Sequence, residues 1–163
     1  MIGTFVTTKF ADRAAFDASE PCDVLVAHNR FVLVGLEWMW RLLTGALRNE
    51  QGGLSDHLGK GRVIVGDGTR PVEPSDERLA GPNTDWAELD DGYPQLARAD
   101  TGVTAAFRAT FGEDKANFDW LERGVTSVQG VLIDRAVADH GRKAPGTVWT
   151  LEATLELTLG AAA

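Results

Sequence analysis

The sequence holds a single cysteine, Cys22, in 163 residues. One thiol cannot close an intrachain disulfide, and a cysteine-based zinc site cannot form around it. Cys22 itself reads as a small buried apolar residue. Histidine is almost as scarce, and His28, His57 and His140 show no metal-ligand spacing. Basic charge is also in short supply: 16 Lys and Arg stand against 24 Asp and Glu, a formal net charge of −8. An acidic chain repels phosphate backbones, which makes nucleic acid a poor partner. Long apolar runs are missing as well. The longest stretch, Phe31 to Leu47, is interrupted by Glu37 and Arg41 and falls short of the ~20 apolar residues a membrane span needs. The opening MIGTFVTTKF lacks a basic segment followed by a long apolar one, so no signal peptide is expected. These absences predict a soluble protein made in a reducing cytoplasm, with no cofactor and no membrane contact.

What is present suits one domain spanning 1–163. A compact fold of this length buries roughly 70% of the surface of its unfolded chain, enough for a core without metals or cross-links. The most regular signal is TVWTLEATLELTL. Trp149, Leu151, Ala153, Leu155, Leu157 and Leu159 alternate with Thr150, Glu152, Thr154, Glu156 and Thr158. This period of two is that of a strand with one face in a core and one in water. Residues 2–10 and Cys22 to Ala27 read as N-terminal strands within 1–27. The polar stretch between them is helix-compatible and is stopped by Pro21. RVIVGDGTRP reads as a short strand ending in a turn. Gln95–Ala99 and Val103–Phe111 read as a hairpin turning at Asp100-Thr101-Gly102, and Val125–Val137 supplies another strand or two. Residues 160–163 look like a frayed tail.

One segment has a helical period. Asn29 is a good N-cap for FVLVGLEWMWRLLTGALR. On a helix, Arg30, Glu37, Arg41, Thr44 and Arg48 fall within ~40° of one line. Glu37 and Arg41 sit at i, i+4 in the favourable order. Almost everything outside that narrow stripe is apolar, including Leu36, Leu42, Leu43 and Leu47, and Trp38 and Trp40 flank the stripe. One sheet covers about half of a helix, so the remaining apolar arc is expected to meet another subunit. The expected fold is therefore mainly β: an antiparallel sandwich, jelly-roll-like, of about seven to nine strands with one substantial helix packed on it.

Residues 66–95 are unlike the rest. They hold four of the six prolines, and eight acids against two arginines leave −6 of the chain's −8. The pattern predicts an irregular acidic arm with one short helix after Ser75, placed for contacts with a neighbour. Asp85 to Asp91 lack EF-hand spacing, although a cation there is conceivable. Trp86 and Tyr93 beside Asp90 and Asp91 are compatible with sugar stacking, or with anchoring the arm to the body. Other candidate chemistry is weak. Ser55, Asp56 and His57 are adjacent, whereas a triad converges from different elements. Lys60-Gly61 and Gly66-Asp67-Gly68-Thr69 lack the GxxxxGK[ST] frame of a phosphate loop and read as turns. Glu152 and Glu156 share a strand face with backbones ~13 Å apart, wider than the ~5–9.5 Å of glycosidase carboxylates.

The order of segments resembles a family of tailed-phage tail-fibre-like or collar-type virion structural proteins. The resemblance rests on HNRFVLVGLEWMWRLLTG, then RVIVGDGTRPVEPSDERLAGP, then TFGEDKANFDWLERGV, and finally VLIDRAVADHGRKAPGTVWTLEATLEL. It covers roughly residues 28–159. It implies a virion component of the tail, neck or collar, or baseplate, with no catalytic residues to carry over. The implied partners are other copies of the chain and other phage proteins. The alternative is a host-surface glycan-binding (adhesin) module of a tail fibre. The residues expected at interfaces are Leu36, Trp38, Trp40 and Leu43 on the helix, and Trp86, Asp90, Asp91 and Tyr93 on the arm.

Overall fold

The computed structural model describes residues 2–35, 61–99 and 102–158. The chain is mainly β, and its described residues form nine strands and one short helix in the order β1 (Ile2–Phe10), α1 (Arg13–Asp17), β2 (Asp23–Phe31), β3 (Arg62–Gly66), β4 (Thr84–Glu88), β5 (Gln95–Ala99), β6 (Gly102–Phe111), β7 (Glu122–Thr126), β8 (Leu132–Val137) and β9 (Val148–Thr158). All the pairings between these strands are antiparallel. They make two sheets, one of β2-β1-β9-β6-β5 and one of β4-β3-β7-β8. Strand β2 belongs to both. Its length from Asp23 to Asn29 pairs with β1, while Arg30 and Phe31 pair with Arg135 and Asp134 of β8. On the other side Leu89, just past β4, bridges Ala109 of β6, and the Asp90 amide donates to the Arg108 carbonyl at 2.8 Å.

The alternating segment is β9, and it lies between β1 and β6 with long registers on both sides. Trp149, Leu151, Ala153 and Leu155 are buried, while Glu156 is exposed. A single apolar cluster draws on both sheets: Phe5, Val63, Val65, Ala87, Phe111, Val125 and Ala136 meet the β9 face there. Trp120 sits at its centre, edge-to-face with Phe111 and with Trp149, each at 4.8 Å between centroids. Its indole N–H donates to the Ala116 carbonyl at 2.9 Å, which satisfies the one polar atom of a buried ring.

Strands β7 and β8 do not alternate in burial: Glu122 to Thr126 and Leu132 to Ala136 are all buried. Both faces of β7 and β8 are therefore covered. The outer cover is the loop 67–83 with residues 32–35, which close a second apolar cluster of Val32, Leu79 and Leu132 supported by Val34, Ile64 and Val72. Under this cover lies a charge network. Arg135 donates from Nε to Glu122 at 2.8 Å and from Nη1 to Asp76 at 2.7 Å. It also donates to the Arg70 and Pro71 carbonyls. The Glu122 carboxylate accepts the backbone amides of Gly68, Ala80 and Gly81 at 3.1, 3.0 and 2.6 Å. A Cβ at Gly68 would collide with that carboxylate, and one at Gly81 with Asp67.

Several expectations are corrected here. The acidic segment 66–95 is no free arm: its first part folds back over its own sheet, residues 84–88 form β4, and the turn at Pro74-Ser75 continues into no helix. Proline and acid content suggested irregularity correctly, but Arg135 and the Glu122 acceptor hold the loop inward. Asn29 is not a helix cap, because it pairs with Gly3 within β2. Leu33–Gly35 make one helical turn. The body of the substantial helix, residues 36–48, lies outside the described residues. Among the described residues α1 is the one named helix, capped by the Asp12 side chain on the Ala15 amide, and none of its residues is buried. Cys22 is exposed, since it sits in the bend between Pro21 and β2, where no face turns inward.

Two substitutions test this layout. Leu155→Asp places an unpaired carboxylate in the β9 core face and should cost more than the ~2–5 kcal/mol of a Leu→Ala cavity. A urea midpoint close to wild type would show that β9 is misplaced. Glu122→Ala removes one of the two carboxylates of Arg135, strands three amides and should cost about 3–5 kcal/mol, whereas Asp17→Ala, which removes the exposed pair with Arg13, should leave the urea midpoint near wild type.

Candidate functional site

The solvent side of the first sheet carries a shallow cleft of about 500 Å³. Period-two alternation puts Val6 and Thr8 of β1, Thr150 and Glu152 of β9, and Arg108 of β6 on this face, opposite the core residues of the same strands. Phe16 and Asp17 of α1 form one wall. Registers align these groups: Val6 pairs with Glu152, and Glu152 pairs with Arg108. At the cleft edge Arg108 Nε donates to Asp90 at 2.9 Å, and Thr110 Oγ1 donates to the same oxygen at 3.0 Å. The guanidinium of Arg108 lies 4.8 Å from the Tyr93 ring centre. The Tyr93 hydroxyl donates to Glu152 at 3.1 Å. Desolvation, then the charge and hydrogen bond of Glu152, hold the phenol above its usual pKa, so Tyr93 stays a donor.

Chemically this is a surface of mutually paired polar groups. Asp90 and Tyr93, two of the residues expected at an interface, are brought together here, with Arg108 between them. Asp91 lies in the adjoining turn. Trp86 is set apart: it stands on β4, 39% exposed, with Arg62 at 4.0 Å and Lys115 at 4.9 Å from its ring centre. Leu36, Trp38, Trp40 and Leu43 lie outside the described residues. The candidate cation ligands do not converge. Asp85 accepts the amides of Trp86 and Ala116, and Asp90 faces Arg108. Of the carboxylates on β9, Glu152 is held by Tyr93 and Glu156 is exposed.

The turn Gly66–Thr69 does cradle an anion, but an internal one, the Glu122 side chain. Sequence reasoning missed Glu122, Arg135 and Arg108. For Glu122 and Arg135 the available signal was charge placed within the apolar strands ERGVT and LIDRAV; Arg108 stands on the solvent face of β6 and carried no such signal.

Of the histidines, His28 is exposed on β2, His57 with Ser55 and Asp56 lies outside the described residues, and His140 is buried. The chain matches no protein-family model, no curated protein and no solved structure. Among the described residues no helix is long and apolar enough to cross a membrane.

His140 gives the protein a pH dependence. Burial first, then the charges of Arg123 and Lys9, push its pKa from 6.5 down to about 3. The folded state therefore binds fewer protons than the unfolded state between these values. The stability it contributes is present above pH 6.5 and is lost as pH falls toward 3. Asp76 is also held below its usual 3.8: burial would raise it, but the Glu73 amide, Arg70 and Arg135 together outweigh burial. Its contribution is lost only below the ordinary carboxylate value, so the two windows separate. Urea unfolding at pH 7, 5.5 and 4.5 should show falling stability for the wild type and a flatter profile for His140→Gln. Equal slopes would place His140 in water.

Proposed function

We propose that the chain is a structural component of a tailed bacteriophage particle, in the tail, neck or collar, or baseplate. It acts through self-association and contacts with other virion proteins. The order of its segments supports this reading, and one structural observation carries it. Among the described residues strand β5 ends the strand order and pairs with β6 alone, so the outer edge of Gln95–Ala99 meets no described strand. Leu96, at 74% exposed, and Val103, at 41%, stand on this hairpin. An open edge strand with exposed apolar side chains is a template for pairing with another chain. Exposed Val24 and Val26 on β2 add apolar surface elsewhere on the same sheet. Two sheets over one shared core suit a sandwich of jelly-roll type, and closed rings of such subunits make the chain a homo-oligomer in the virion. The glycan-binding alternative has less support, because the Trp86 and Tyr93 rings each already carry a guanidinium over them. The reading assigns no catalytic activity.

Leu96→Lys combined with Val103→Lys places charge on the open hairpin without touching the buried core. Circular dichroism and the melting temperature should stay near wild type, while incorporation into purified particles should fall by about tenfold or more. Normal incorporation of the double variant, or a particle reconstruction in which this hairpin faces only solvent, would overturn the assignment.

A further inference from the structure

The interior holds an unusual group of polar atoms. Arg123 Nε and Nη2, Thr7 Oγ1 and His140 Nδ1 are buried and have no hydrogen-bond partner among the described residues. All three residues are no more than 2% exposed, and native interiors rarely leave such groups unsatisfied. They lie in one neighbourhood. Phe5, Thr7 and Lys9 leave the same face of β1 in that order. The Arg123 guanidinium stands over the Phe5 ring at 5.2 Å, and its Nη1 donates to the Ala138 carbonyl at 3.4 Å. His140 is two residues further on, its backbone tied to Trp120. Lys9 Nζ lies 3.7 Å from where a Cβ on neighbouring Gly141 would be.

The chemistry of the free atoms is that of donors. The guanidinium offers Nε–H and Nη2–H, the threonine offers its hydroxyl, and a neutral imidazole carries its proton on either nitrogen. Nε and Nη2 form one edge of the guanidinium, whose parallel N–H groups fit the two oxygens of a planar oxyanion. The protein uses that edge once already: Arg135 sets Nε at 2.8 Å and Nη2 at 2.7 Å from a single carboxylate oxygen, Oε2 of Glu122. Arg123 forms no ion pair among the described residues. Asp134 is the acid that acts on its charge, and the Oδ1 of Asp134 accepts the Val125 amide at 2.7 Å. Around His140 the charges of Arg123 and Lys9 outweigh those of Asp139 and Asp23, so the local potential is positive.

We propose that Arg123, Thr7 and His140 form an interior binding site for a small carboxylate, seated on the Nε/Nη2 edge of the Arg123 guanidinium. The site lies inside the molecule and is independent of the open β5 edge, so assembly and ligand binding can fail separately.

Formate is the probe. At matched ionic strength, sodium formate should raise the melting temperature saturably, by about 3 °C at roughly ten times its dissociation constant, and sodium chloride should not. Thr7→Val keeps the side-chain shape and removes only the hydroxyl. It should fold and should weaken the formate response about tenfold. Arg123→Met should abolish the response if it folds, and Thr7→Val keeps the test decisive if it does not. A crystal grown in formate should show a planar three-atom group on the Nε/Nη2 edge. Equal shifts in chloride and formate, an unchanged response in Thr7→Val, or only water on that edge would each overturn the site.

Discussion

The fork of Arg135 on Glu122 is the contact from which the second sheet takes its form. Two charges that are fully buried cost several kcal/mol each to remove from water. That cost is tolerable only because every oxygen and N–H finds a partner. The partners come from a loop, since the amides of Gly68, Ala80 and Gly81 and the carbonyls of Arg70 and Pro71 all converge on this pair. Sheet and loop therefore specify one another. Without the loop, Glu122 and Arg135 would face water from the middle of a sheet. Without the pair, the loop's inward amides and carbonyls would have no acceptors or donors. The acidic character of residues 66–83 fits this arrangement, because Asp76 supplies the second carboxylate that Arg135 needs.

The first sheet is organised differently. Its inner face is closed chiefly by apolar contact, with Trp120 wedged between Phe111 and Trp149 and Thr7 buried among the polar exceptions, and its outer face carries threonines, paired charges and the exposed Val24 and Val26. The two sheets share a core but not a strategy. One buries a single face and reads as alternation; the other buries both faces of its inner strands β7 and β8 and holds Glu122 and Arg135 there as a pair.

That contrast explains what was legible in the sequence. Strand β9 declared itself, because each residue from Trp149 to Glu156 obeys the period-two rule. The hairpin of β5 and β6 was readable from the Asp-Thr-Gly sequence between its two β-prone stretches. Strands β7 and β8 were visible only as β-branched stretches, since burial on both faces erases the alternation. The direction of the loop 67–83 was not legible at all. It depends on Glu122 and Arg135, some 40 to 65 residues away, and no local pattern encodes that distance. Asn29 shows the opposite failure: its local fitness as a helix cap lost to seven registered pairs between β1 and β2, so the strand runs on through Phe31. Of the candidate surface residues, Asp90 and Tyr93 were legible as neighbours because three positions separate them. Their shared partner Arg108 was not, because it arrives from another strand.

Strand β2 has a mechanical consequence. Two sheets that merely pack face to face can slide, since apolar side chains exchange one contact for another at little cost. Here one strand begins in the first sheet and ends in the second, where Arg30 and Phe31 enter the ladder of Arg135 and Asp134. Relative sliding must then break backbone hydrogen bonds, and the residues it would tear first are next to the Arg135–Glu122 pair. A load applied to the first sheet is thus carried into the second through the covalent chain, and it arrives beside the buried Arg135–Glu122 pair.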